Sequence, residues 1–162
     1  MRLKPNNSTS RHRFAVQLSG VRPHARHLEW FVEAQDPIYN SVIEEIRTGK
    51  KRTHWMWFVF PQLLGLGRSE MANRFGLSGL DEAREYLAHE ILGPRLAECT
   101  EAVLHGEVSP DLIFGPTDFR KFVSSMTLFR AAAGENSLFA RTIAQISETD
   151  EVTLALLGKS DV

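Results

Sequence analysis

His54 stands where a basic turn, Lys50-Lys51-Arg52, runs into the apolar segment Trp55 to Phe60. An imidazole titrating near neutrality is the side chain best suited to move a proton there. Glu33 and Asp36 on neighbouring elements are its candidate acidic partners, with Glu33 taken as the second proton-handling group. No spacing rule brings them together, and a buried, satisfied histidine fits the same pattern. Trp55 and Trp57 beside the cations offer what a nucleotide base or a single strand requires, although tryptophans in an apolar run also serve as core. Gly65-Leu66-Gly67-Arg68-Ser69 leads into a helix and can present N–H groups, a guanidinium and a hydroxyl to an anion. An ordinary turn followed by an N-cap accounts for the same residues. Downstream, Asp118, Lys121, Ser124, Ser125 and Thr127 fall within about two helical turns. Hydroxyls on an otherwise apolar helix either bond back to carbonyls or mark a polar pocket.

Other motifs fail on chemistry. Gly158-Lys159-Ser160 has Thr153 where a phosphate loop needs glycine. His89 and His105 lack ligand spacing and there is no Cys/His cluster, so no metal or other cofactor is expected.

The elements that must position these residues read as short helices from His27 onward, with no alternating apolar and polar run. The spacing predicts helices at His27 to Ala34, from the Asp36-Pro37 cap to Gly49, and from Ser69 to Phe75. Ser78 opens another, with Asp81 in a capping-box position, and Gly93-Pro94 restarts a helix that ends at Gly106. Ser109-Pro110 opens a single turn ending at Phe114-Gly115, and Thr117 or Asp118 caps a longer helix closed by Gly134. Asn136 to Ile146 and Val152 to Leu157 complete the chain. The six residues Trp55 to Phe60 are too few for periodicity to choose between helix and strand, and helix is the expectation. The class is all-α, an irregular multihelical single domain over 28–158, with a tail at 159–162.

Bulk properties agree. A chain of 162 residues, 43% hydrophobic and 24% charged, has ordinary globular composition and buries roughly two thirds of its unfolded surface. Its 19 basic and 20 acidic residues nearly cancel, so nucleic-acid binding would need a local patch. Residues 1–27 are that exception, with Arg2, Lys4, Arg11, Arg13, Arg22 and Arg26 and no carboxylate before Glu29. They read as a disordered leader. Pro5, Pro23 and the lack of an amphipathic pattern weaken a transit-peptide reading. The single cysteine, Cys99, favours a reducing, cytoplasmic setting, and no run approaches the roughly 20 apolar residues of a membrane span. No heptad argues for self-association.

His54-Trp55-Met56-Trp57-Phe58-Val59-Phe60-Pro61-Gln62, followed by Gly65-Leu66-Gly67-Arg68-Ser69, resembles the family called domain of unknown function 1810. The likeness continues through Phe31 to Gln35, Tyr86 to His89, Leu92 to Leu96, Ile113 to Gly115 and Lys121 to Phe129. It implies a compact, mainly helical fold and carries over positions without assigned roles: His54, Trp55, Trp57, Gln62, Gly65, Gly67, Ser69, Lys121, Ser124 and Ser125. The early Ala-Gln and late Lys-Phe pairs look distantly like proteins that remove ADP-ribose from nucleic acid. The leading expectation is a small enzyme or binding protein for a nucleotide-like ligand, ADP-ribosyl or N-glycosidic. A tryptophan would stack the base, and the Gly65–Ser69 loop, Arg68 included, would hold phosphate with Lys121. The rival is a non-catalytic module whose basic arm engages an acidic partner or nucleic acid.

Overall fold

A computed structural model describes residues 23–160 of the chain. Those residues form nine helices: α1 (Ala25–Gln35), α2 (Tyr39–Arg47), α3 (Met56–Val59), α4 (Glu70–Phe75), α5 (Leu80–Ala88), α6 (Leu92–His105), α7 (Pro110–Ala133), α8 (Leu138–Ile146) and α9 (Glu151–Ser160). No strand occurs among the described residues, where Leu63 and Leu77 make a lone parallel bridge. The all-α class is as expected.

Helix α7 is the organising element, packing against α3, α5, α8 and α9, while α6 joins α2, α5 and α8. Its inner face carries Phe122, Met126 and Phe129, all buried. Phe122 meets Phe60 edge-on at 5.1 Å and Phe114 at 5.0 Å, and Phe129 lies 5.4 Å from Tyr86. Offset and edge contacts of this kind stabilise a core beyond the area they bury. Segment 55–60 contributes Trp55, Met56, Phe58, Val59 and Phe60 to the same core, which is why the sequence is apolar on every side there.

Several boundaries differ from the pattern. Asp36 does not cap α2; it follows α1 with helical φ/ψ, and its carboxylate takes Arg95 at 2.8 Å instead. A turn through Pro37 and Ile38 then precedes Tyr39. At the start of α5 it is Glu82, not Asp81, that accepts the Ser78 amide, at 2.9 Å. Gly93 lies within the first turn of α6, where a Cβ would stand 2.2 Å from the Leu87 carbonyl oxygen. The helix there begins at Leu92, with His89 Nδ1 accepting the Ile91 and Leu92 amides. Gly115 breaks α7 with φ +78°, so Pro116 starts its longer limb, and Thr117 and Asp118 sit inside that limb instead of capping it.

The packed body also begins earlier than residue 28. His24 Nδ1 reaches Glu85 at 2.8 Å and His27 Nδ1 reaches Glu82 at 2.9 Å. The rest of the basic leader, residues 1–22, lies outside the described residues. No described helix is long and apolar enough to cross a membrane.

Candidate functional site

The segment 50–55, between α2 and α3, is held from two sides. Glu45 occupies an inward position of α2 among Val42, Ile43 and Ile46 and is buried. One of its oxygens accepts the Arg52 amide and, at 2.7 Å, the Thr53 amide. The other accepts the Thr53 hydroxyl at 2.8 Å and the Trp55 indole N–H at 3.3 Å. Burial alone would push the Glu45 carboxyl up, but these donors outweigh it and hold its pKa below the ordinary 4.5.

Lys51 supplies the second tie. Its amide donates to the Ile113 carbonyl at 2.9 Å, and its side chain, only 6% exposed, carries the ammonium to Asp118 at 2.8 Å. The same Nζ donates to the Thr53 carbonyl at 2.5 Å and stands 5.0 Å from the Trp55 ring. A charge this buried requires a partner, and Asp118 provides it. Asp118 also faces Lys121 at 3.5 Å, and Lys121 Nζ lies 4.6 Å from the centre of the Trp57 ring. Two ammonium groups thus share one carboxylate beside a part-exposed indole. Lys51 is fully committed to the fold, while Lys121, a quarter exposed, keeps donors free for solvent.

Trp57 also lines a crevice with Gln62, Gly67 and Met71 that holds about 10 Å³, the room of one water. A ligand here lies on the rim and is not enclosed. Gly67 is tight because a Cβ would meet that of Ala72 at 2.7 Å, and Gly65 turns with φ +102°. Ser69 Oγ accepts the Ala72 amide at 3.1 Å, so it caps the six-residue α4; Arg68 is exposed.

The remaining candidates disperse. Trp55 is 1% exposed with its edges on Phe60 and Phe114, leaving no face for a base. His54 and Glu33 are both exposed, and no hydrogen bond or ion pair joins either side chain to a described residue. Ser124 Oγ donates to the Arg120 carbonyl at 3.0 Å and to Asp150 at 3.1 Å. Asp150 also accepts the Thr153 amide and hydroxyl, and its own amide donates to Thr127. The hydroxyls of α7 therefore anchor the N-terminus of α9. Ser125, fully buried, has no hydrogen-bond partner among the described residues.

Sequence reasoning missed Gln35, whose amide donates to the Phe58 carbonyl at 2.6 Å and to Tyr86 at 3.1 Å. It also missed Arg95, which pairs with Asp36 and stacks 4.7 Å over Tyr39. The signal was available for Glu45 and Gln35, each a polar residue at an inward position of an apolar helix face. Cys99 is buried beside Tyr39, and burial pushes its thiol up to about 12, which makes it inert.

Comparison with known proteins gives a family and a fold without a reaction. A family model described as protein of unknown function, DUF1810, matches residues 25–157. The crystal structure of the conserved hypothetical protein Rv1873 from Mycobacterium tuberculosis is similar, with 52% sequence identity and a TM-score of 0.78. The match covers 81% of this chain and 96% of that one. No curated protein matches.

Proposed function

We propose that this chain, which belongs to the DUF1810 family of proteins of unknown function, binds a small anionic ligand carrying a planar ring, nucleotide-like in its chemistry, at the rim formed by Trp57 and Lys121. The observation that carries the reading is the ammonium of Lys121 poised 4.6 Å over a part-exposed indole, with the neighbouring carboxylate already shared with Lys51. A phosphate approaching Lys121 competes with half of one carboxylate instead of breaking a full ion pair. Once the ammonium swings to the anion, it leaves the indole for a base to stack on, and such stacking contributes about 1–3 kcal/mol per base. Gln62 lines the same crevice as Trp57, and its amide can both donate and accept. The reading is one of binding, and it assigns no role to His54 or Glu33, whose side chains have no partner among the described residues.

Thermal shift of the full chain against adenosine, inorganic phosphate, AMP, ADP-ribose and dinucleotides tests it. A ligand at about a hundred times its dissociation constant adds about 2.7 kcal/mol, visible as a clear rise in melting temperature. The rise is expected for compounds carrying both ring and phosphate, to shrink for either part alone, and to vanish in Lys121→Met and Trp57→Leu chains. The absence of a rise with every compound would remove the reading.

A further inference from the structure

The largest cavity among those described lies away from Trp57, where the turn from α6 to α7 faces α8. It is an open groove of about 460 Å³, within the range of built ligand sites. Val108, Phe119 and Ile146 give it an apolar floor, and Glu107, Asp111 and Glu148 stand around it with no basic side chain in the lining. None of the three carboxylates has an ion pair or hydrogen bond among the described residues. Its wall is fixed from below: Gly49 turns with φ +80°, and a Cβ there would stand 2.4 Å from Val108 Cγ2.

An apolar trough bordered by unpaired carboxylates fits a cationic segment that also carries apolar side chains. The chain holds such a segment ahead of its packed body. Residues 1–22 contain five Arg or Lys and no Asp or Glu, and Arg11-His12-Arg13 leads directly into Phe14-Ala15-Val16-Gln17-Leu18. We propose that this basic N-terminal segment is the occupant of the groove in its own chain, its cationic and apolar side chains matching the carboxylates and apolar lining in chemistry. Length permits it. Ten residues of extended chain, from Arg13 to Pro23, span about 33–36 Å, against a radius of gyration of about 14 Å for a domain of this size. The matched family region begins at residue 25, so the segment lies outside that region.

The test uses the full chain and the same chain with Glu107→Gln, Asp111→Asn and Glu148→Gln together. At low salt, trypsin is expected to cut after Arg11 and Arg13 several-fold more slowly in the wild type than in the variant. Salt of about 0.5 M should bring the two rates together, because charges at an exposed rim are screened. A zero-length carbodiimide should couple the Lys4 amine to groove carboxylates within one chain, and only in the wild type. Equal cutting rates at low salt, or coupling found only between chains, overturns the proposal. If the triple variant does not fold, Arg11→Glu with Arg13→Glu leaves the packed body untouched, and amide exchange over residues 106–111 then reads the result. Faster exchange in that variant than in the wild type is expected, and identical exchange rejects the docking.

Discussion

Replacing Glu45 by glutamine keeps the shape of the side chain and removes half of its accepting capacity. The carboxylate takes two donors on each oxygen, and an amide can offer one oxygen to one pair while its NH2 confronts the other. Hydrogen bonds to a charged group contribute about 1.5–3 kcal/mol each. Two lost bonds at a site 8% exposed therefore cost about 3 kcal/mol, allowing for partial relaxation toward water. At about 2–4 °C per kcal/mol for a chain of this size, the melting temperature should fall by about 6–12 °C. Urea unfolding followed by tryptophan fluorescence gives the same difference at equilibrium. Acid supplies an internal control. The folded-state pKa of Glu45 lies below its unfolded value near 4.5, so the wild type holds its advantage above that pH and loses it as pH falls through the folded pKa. The gap between the chains should be flat at neutral pH and close in acid. A loss under 1 kcal/mol at pH 7, or a gap that persists once the carboxyl is protonated, would refute the argument that these four donors fix segment 50–55.

His27 gives the opposite pH dependence: its pair with Glu82 raises its pKa above 6.5, against the opposing pull of burial. Its contribution is full below 6.5 and is lost as pH rises through the raised value, while Glu82, held below 4.5, loses its share in stronger acid. The stability difference between wild type and His27→Gln, up to about 1 kcal/mol, should peak between roughly pH 5 and 6.5 in urea titrations. Gly93→Ala should cost about 2 kcal/mol or more by thermal melting, since the clashing atom is a backbone carbonyl that cannot swing away. Ser125→Ala removes a buried hydroxyl with no partner among the described residues, so melting should rise or stay level; a loss beyond about 1 kcal/mol would show that the hydroxyl has a partner.

What the sequence makes legible follows from local rules. Gly49, Gly106 and Gly134 end their helices, and Ser69 caps its own through the amide three residues on. The misreadings arise where a local motif meets a distant competitor. Asp36-Pro37 has the chemistry of a helix start, yet Arg95 takes the carboxylate from α6. Asp81 has capping spacing, but Glu82 is drawn to the Ser78 amide and to His27 together. At the site, Lys121 and Trp57 were legible as residue types, whereas their meeting depends on Asp118 and Lys51, which no spacing rule connects. Trp55 and Trp57 are two apart in sequence, and the short turn of α3 sends the first into the core and leaves the second at the surface.

The tie between Lys51 and Asp118 also bears on how the chain is made. Lys51 and the uncharged run Trp55 to Phe60 leave the ribosome well before α7 exists to receive them. At about 5–20 residues per second, several seconds pass before Asp118 and the aromatic face of α7 emerge. Through that interval the most apolar stretch of the protein stands near a lysine whose folded-state partner has not yet emerged, in a window of the length and composition that favour intermolecular pairing. The ammonium that is later neutralised serves meanwhile as the gatekeeper at its edge, so the residue that closes the folded structure also guards the nascent one.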